Sequence, residues 1–366
     1  MFVVKNIIKI LKGSNINFFT GVPDSILKNL SSSLSRLGKK NHVITANEGG
    51  AVSLATGYHL ASKKIPVVYF QNSGLGNAIN PITSMVHKEI YSIPMIFFIG
   101  WRGCPGINDE VQHKVQGKIT LKQLQLLNIK YYIFNKKNYV KNLKTLIKYV
   151  RKNSQPAAFI FKNKDLNDST SNEKNYRKNF NKGIIRSDFI SKLTKNSKNS
   201  RIIATTGFTS RELFQIRKDS KLNNFKDFYM VGAMGHASMV ALGYSLIKKQ
   251  KIICLDGDGA FLMHQGSSTI VAKFGDKNFK YILLNNGCHE SVGEQPTAIN
   301  NINLKKFALS IGYKKYYLLN KKSLINKTIK LFINSDGPSF LEVKIKTGSL
   351  KNLLRIKNLK LVKKNF

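Results

Sequence analysis

The chain has 366 residues, with 60 Lys and Arg against 19 Asp and Glu, a formal net charge of +41. At roughly 150 residues per domain this length fits about two domains, and an apolar fraction of 42% with 10% aromatics excludes a wholly disordered chain. The lysines are spread among Asn and Ile from end to end, so the charge reads as a compositional bias; a nucleic-acid-binding surface is the alternative, and no RRM, zinc-finger or helix-turn-helix signature accompanies it.

The start, MFVVKNIIKILKG, carries charge inside its apolar run and reads as an amphipathic helix, not a signal peptide. Apolar runs at NFFT, HVITA, IPVVYFQ, IPMIFFIG, KYYIF and PAAFIF then predict strands, with helical periodicity between them, as in EGGAVSLATGYHLASKK and YVKNLKTLIKYVRKN. The run IPMIFFIGW is about half the roughly 20 residues of a membrane span, so no membrane association is expected. Over 163–182 the rhythm breaks into KNKDLNDSTSNEKNYRKNFN, polar and almost without aliphatic residues, which reads as a linker.

Beyond it, SDFISKLTKN, SRELFQIR and ASMVALGYSLIKK predict helices and RIIATT, FYMVG and KIICLDG strands. A helix over 261–273, the strand KYILLNNG, a helix near 303–311, a strand at YYLL, a helix from Ser323 and the strand SFLEVKI follow. Strands apolar enough to be buried on both faces, alternating with helices, predict an α/β fold with two doubly wound parallel sheets. The boundaries are 1–163 for the first domain, 164–183 for the linker and 184–366 for the second. Cys104, Cys254 and Cys288 are odd in number and widely spaced, which fits a reducing cytoplasm and no disulfide framework.

The densest chemistry lies in Leu255-Asp256-Gly257-Asp258-Gly259-Ala260 and in Asn285-Asn286-Gly287, with 25 residues between Gly259 and Asn285. Each alone is an ordinary turn, the second of type I′. Together, at the carboxyl ends of strands, they offer glycines that admit a phosphate, a helix N-terminus, a hard carboxylate oxygen and amide oxygens, the donor set of a Mg²⁺–diphosphate site.

This pair resembles the GDG…NN signature of thiamine-diphosphate enzymes. The resemblance implies Mg²⁺ on Asp258, Asn286 and the backbone oxygen of Cys288, with Gly257 and Gly259 beside the diphosphate. It makes 184–366 the diphosphate-binding domain and 1–163 a pyrimidine-binding domain, whose glutamate at the start of a helix hydrogen-bonds the aminopyrimidine ring. Glu48, in HVITANEGGAVSLATGYHLA, fits that placement; read alone it is an acid favoured by a helix dipole.

Further blocks, GVPDS, ANEGGAV, QNSGLGNAINP, IGWRGCPGINDEVQH, GAMGHASMVALG and NNGCHESVGEQPT, resemble the phosphonopyruvate decarboxylases and are similar to the sulfopyruvate decarboxylases, in collinear order. The resemblance implies Mg²⁺- and thiamine-diphosphate-dependent decarboxylation of a small anionic 2-oxo acid, and a homo-oligomer with each cofactor between domains of two subunits. The length leaves no room for the middle domain of larger relatives.

In GAMGHAS the resemblance places Gly232 at the cofactor's amino group and Met234 where a bulky side chain bends the cofactor; an ordinary core methionine is the alternative. Asp24 is either a proton relay or a helix N-cap. Asn72, Ser73 and Arg102 are expected at the substrate, since a doubly anionic ligand needs multidentate donors. Arg102 and His113 are expected to bind the substrate's anionic group or assist proton transfer, with His113 catalytic; their alternatives are an ion-pair partner and a loop histidine. His289 and Glu290 follow the metal motif and are expected near the cofactor, with His289 catalytic; Ser349 or Lys351 is a weaker substrate contact.

Overall fold

The computed structural model describes residues 3–38, 40–166, 183–220 and 227–366. These gather in two compact units that part between 166 and 183, so the expected linker lies outside the described residues except at 164–166 and 183. In chain order the first unit holds α1 (Val3–Gly13), β1 (Phe19–Gly21), α2 (Lys28–Leu34), β2 (His42–Ile44), α3 (Glu48–Ser62), β3 (Val67–Gln71), α4 (Leu75–Pro81), β4 (Ile96–Gly100), α5 (Lys114–Leu126), β5 (Lys130–Ile133), α6 (Tyr139–Asn153) and β6 (Ala157–Phe161). The second holds α7 (Arg186–Asn196), β7 (Arg201–Ala204), α8 (Phe208–Asp219), β8 (Asp227–Tyr229), α9 (Ala237–Ile247), β9 (Ile252–Gly257), α10 (Asp258–Met263), α11 (Ser267–Phe274), β10 (Phe279–Asn285), β11 (Cys288–His289), β12 (Gln295–Pro296), α12 (Leu304–Ser310), β13 (Lys315–Leu319), α13 (Ile325–Asn334), β14 (Ser339–Lys344) and α14 (Leu359–Asn365).

Each unit contains one six-stranded, wholly parallel sheet. The orders are β2-β1-β3-β4-β6-β5 and β8-β7-β9-β10-β14-β13. Counting only the strands of each six-stranded sheet, each order runs second, first, third, fourth, sixth, fifth, so two halves without evident sequence repetition share one topology.

The reason both faces of each sheet are covered is the strand period of two. In β3, Val67 and Tyr69 enter a core with Val4, Ile7 and Leu11 of α1 and Leu143 and Leu146 of α6, while Val68 and Phe70 enter another with Ala51 and Ala55 of α3 and Ala78 of α4. In the second unit Ile253 and Leu255 of β9 face α7, α8 and α13, and Ile252 and Cys254 face α9, α11 and α12. The spacing of Val3, Val4, Ile7 and Leu11, all buried, is the helical stripe read in the sequence.

Three local features differ from expectation. The single helix over 261–273 is two: α10 already starts at Asp258, and the chain breaks at His264 (φ −131°, ψ 46°) before α11. Asn285-Asn286-Gly287 is no type I′ turn, because Gly287 (φ 72°) has positive φ and neither Asn does. Instead the chain continues into the antiparallel pair β11–β12, with Cys288 opposite Pro296 and His289 opposite Gln295; two-residue strands, one ending in Pro, carry no alternation to read. Helix α14 was likewise not expected from the sequence. No helix among the described residues is long and apolar enough to cross a membrane.

In both sheets the chain goes from the first strand to one neighbour and then back past it to the third. Loops after the first and third strands therefore leave toward opposite faces and open a crevice at the carboxyl ends, where ligands bind in open α/β sheets. The candidate site residues lie at these two edges.

Candidate active site

In the second unit, β9 and β10 are neighbours with Gly257 beside Leu284, so Asp258 and the Asn pair leave adjacent strand ends together. The two aspartates of Asp256-Gly257-Asp258 do different things. Asp256 is satisfied inside the sheet, accepting from Tyr281 Oη at 2.8 Å and from the Gly257 amide at 2.9 Å. Asp258 opens α10 and is 3% exposed. Burial pushes its carboxyl up from 3.8 to about 7, against the opposing hydrogen bond from Thr297 Oγ1 at 2.6 Å and the amides of Asp258 and Gly259. A buried carboxylate at such a value is short of a positive partner.

The two asparagines also divide. Asn285 faces inward and donates to Glu342 Oε1 at 2.8 Å. Asn286 donates its Nδ2 to Glu290 Oε2 at 3.0 Å, while its Oδ1 accepts from the Cys288 amide at 3.1 Å. Gly259 has no room for a side chain: a Cβ there would lie 2.9 Å from His289 Nδ1 and 3.3 Å from Met234 Cε. Met234, Gly259 and His289 thus meet over the first turn of α10. Burial drives the His289 imidazole down to about 4, keeping it neutral at physiological pH, and raises the Cys288 thiol out of the titrating range. Gly232 lies in the loop after β8, next to Ala233, which takes positive φ (52°).

The donor set, one buried carboxylate, an amide oxygen and backbone carbonyls at a strand edge, is of the hard-oxygen kind that Mg²⁺ takes. Among the described residues no group of three His, Cys, Asp or Glu offers a competing metal site. A divalent cation, if bound beside Asp258, would supply positive charge to that buried carboxyl.

In the first unit, Glu48 is the first residue of α3, whose N-cap Asn47 accepts from the Gly50 amide at 2.7 Å. Its carboxyl is 5% exposed, packed against Gly74 and held by Asn77 Nδ2 at 2.7 Å. Burial raises its pKa and the Asn77 bond opposes the rise. Asp24, after β1, is 1% exposed; its Oδ2 accepts from the amides of Ile26 and Leu27 at 3.1 and 3.2 Å, while its Oδ1 has no partner among the described residues. Burial pushes it up to about 6 despite nearby Arg102. Asp24 therefore holds the turn before α2, whose N-cap position is Leu27 and not Asp24, and keeps one oxygen unused.

The residues expected at the substrate separate. Ser73 is exposed after β3 and accepts from Gln71 Nε2 at 2.7 Å. Asn72 is wholly buried: it donates to Arg102 O at 2.9 Å and Thr120 Oγ1 at 2.8 Å and accepts from the Arg102 amide at 3.1 Å. Both its amide hydrogens are used, so Asn72 couples the loops after β3 and β4 and does not face a ligand; this corrects the expectation that it binds substrate. Arg102 realises the ion-pair alternative, with Nε on Asp109 Oδ2 at 2.8 Å, Nη2 on Asp109 Oδ1 at 2.5 Å and Glu110 Oε1 at 3.5 Å, and Nη1 on Ser25 Oγ at 2.9 Å. Burial by itself would raise Asp109, but Arg102 and the Gly103 amide hold it below its ordinary value. His113, at the turn before α5, is driven to about 4 by burial and by Arg102. Ser349 and Lys351 are exposed.

Sequence reasoning missed Asn77, Thr297 and the pair Arg186–Glu212. Asn77 lay inside a recognised block, QNSGLGNAINP, but nothing in its spacing showed that it reaches Glu48.

Comparison with known proteins gives two matching family models: thiamine pyrophosphate enzyme, N-terminal TPP binding domain, over residues 1–126, and its C-terminal TPP binding domain over 205–343. The chain is 29% identical over 364 residues to phosphonopyruvate decarboxylase of Streptomyces viridochromogenes, covering 95% of this chain and 89% of that protein. It is 28% identical over 372 residues to sulfopyruvate decarboxylase of Methanosarcina acetivorans, covering 95% and 93%. It is 32% identical over 166 residues to sulfopyruvate decarboxylase subunit beta of Methanothermobacter thermautotrophicus, covering 45% of this chain and 84% of that protein.

Proposed function

The chain belongs to the thiamine pyrophosphate enzyme family, and from that premise we propose that it is a Mg²⁺- and thiamine-diphosphate-dependent carboxy-lyase that converts 3-phosphonopyruvate to phosphonoacetaldehyde and carbon dioxide, a step of phosphonate biosynthesis. The observation that carries this reading is the buried Asp258 carboxylate, short of positive charge, beside Asn286 at neighbouring strand ends. Asp258, Asn286 Oδ1 and the Cys288 carbonyl would hold the metal, Gly257 and Gly259 leave backbone space for a diphosphate, and Met234 packs against that turn. When bound, thiamine diphosphate supplies the sink for the electron pair released by a departing carboxylate.

The chain's own groups serve binding and proton handling. Glu48, whose carboxyl burial raises above its ordinary value, is suited to hold and return a proton on the cofactor's aminopyrimidine ring. Asp24, near 6 with an unused oxygen, and the neutral His113 and His289 are the further proton carriers. Arg102, shared among Ser25, Asp109 and Glu110, orders the loop after β4, and Ser73 is the exposed donor at the substrate. A homo-oligomer in the cytoplasm belongs to the same reading, supported by a relative that is itself a subunit and by three cysteines that are all free.

Sulfopyruvate is the second reading, supported by the 28% identity to a sulfopyruvate decarboxylase over 95% of the chain. Carbon dioxide release from phosphonopyruvate, sulfopyruvate and pyruvate, each with and without Mg²⁺ and cofactor, tests both. Phosphonopyruvate is expected to show the highest kcat/KM. No release from any of the three, or full activity in Glu48→Gln, would overturn the assignment.

A further inference from the structure

A buried network beside the Asn286 loop is left unused by the proposed chemistry. Arg186, the first residue of α7, is 4% exposed and donates Nε to Glu212 Oε2 at 2.9 Å, Nη1 to Glu290 Oε2 at 2.7 Å and Nη2 to Gly348 O at 3.1 Å. Glu290 uses the same Oε2 for Asn286 Nδ2 at 3.0 Å and gives Oε1 to the Gly348 amide. Glu212 accepts from the Leu350 amide at 3.0 Å, and Arg211 extends the anchorage to the carbonyls of Leu353, at 2.5 Å, and Leu354, at 3.3 Å.

Two carboxylates and one guanidinium, nearly excluded from water, are costly to bury, and such clusters are weak evidence for stability alone. What this one does is join the start of α7, α8, the Asn286 loop and the segment after β14. An asparagine amide can turn over by 180°, exchanging its oxygen and nitrogen. With Nδ2 held by Glu290 at one end and Oδ1 accepting from the Cys288 amide at 3.1 Å at the other, the Asn286 amide is pinned in one orientation, its oxygen turned to the Cys288 backbone and its nitrogen to Glu290. Gly348 takes φ +120°, which favours glycine, and both its amide and its carbonyl are engaged.

We infer that Glu290, held by Arg186, is the positioning residue for the Asn286 amide, and that the same carboxylate couples Mg²⁺-dependent cofactor binding to docking of residues 348–350. The inference rests on the functional reading above. Coupling is reciprocal: Mg²⁺ with cofactor protects residues 348–350, and loss of their docking raises the Mg²⁺ requirement.

The test measures thiamine diphosphate affinity by calorimetry across a Mg²⁺ series, with hydrogen exchange at 348–350, in the full chain. In wild type, Mg²⁺ and cofactor slow exchange at the Gly348 and Leu350 amides. Glu290→Ala raises the Mg²⁺ needed for half-maximal binding about 10- to 100-fold and removes that protection. Glu290→Gln, which keeps the shape, shows the same direction and serves if the alanine variant does not fold. Arg217→Met breaks a pair with Asp227 at the far end of α8, bonded to neither Arg186 nor Glu290, and leaves the Mg²⁺ requirement unmoved. Wild-type binding with an unchanged requirement in the Glu290 variants, or an equal shift in Arg217→Met, overturns the inference alone. No Mg²⁺-dependent cofactor binding in wild type overturns the functional reading and the inference with it.

Discussion

Gly74→Ala is expected to remove activity while leaving the fold intact. Gly74 has φ −71° and ψ −12°, a conformation any residue adopts, so alanine brings no backbone strain. Reduced freedom of the unfolded chain would stabilise the variant by roughly 0.4–1 kcal/mol if nothing stood in the way. One side chain does: the new Cβ would lie 2.4 Å from Glu48 Cγ and 2.5 Å from both Cδ and Oε1. Carbon atoms settle at roughly 3.5–4.0 Å, so the Glu48 carboxyl must retreat by about 1 Å. That movement breaks the 2.7 Å bond from Asn77 Nδ2, which opposes the rise in Glu48 pKa. Displacement of this size at a reacting group costs on the order of 100-fold in rate. The assay pairs kcat/KM for carbon dioxide release with the Tm of the cofactor-free protein. About 100-fold lower kcat/KM at a Tm within a few degrees of wild type is the expected result. Wild-type kcat/KM would refute the placement of Glu48, and a large loss of Tm would show that Gly74 is structural.

Other outcomes follow from the same geometry. Asp24 has a pKa of about 6 in the folded chain against 3.8, so the folded state holds the extra proton between those values and stability falls as pH rises through that window. Asp24→Asn removes this dependence, so its stability relative to wild type should rise by about 2 kcal/mol from pH 4 to pH 7, read by urea unfolding; parallel pH profiles would contradict the assignment. Asp258, near 7 against 3.8, has the same sign, and metal relieves it, so the Tm gain from Mg²⁺ and thiamine diphosphate should be larger at pH 8 than at pH 6 and absent in Asp258→Ala. Asn72→Ala should lose about 2 kcal/mol of stability even without substrate, because it leaves the Arg102 amide and carbonyl without their side-chain partner, while Thr120 keeps its bond to the Gln116 carbonyl; a urea midpoint equal to wild type would restore Asn72 to the substrate side.

The sequence by itself determined what is local and periodic. Doubly buried strands such as VVYFQ and IFFIG announce parallel sheets, and the Val3–Leu11 stripe announces α1. The short pair β11–β12 and the break at His264 were not legible, because neither spans enough residues to establish a period. The common strand order of the two units follows from which strands pair, and pairing is set by tertiary packing.

Partners distant in the chain belong to the tertiary structure too. Asp256 and Asp258 are two residues apart and burial raises both carboxyls, yet Tyr281 donates to the first inside the sheet and Thr297 to the second at the strand end. Arg102 reads as a free cation until Asp109 and Ser25 close on it, and Glu290 reads as one more acid near a motif until Arg186, 104 positions away, meets it. Residue type and local spacing fix which chemistry a side chain can perform; burial and long-range partners, which only the folded chain supplies, decide which side chains remain to perform it.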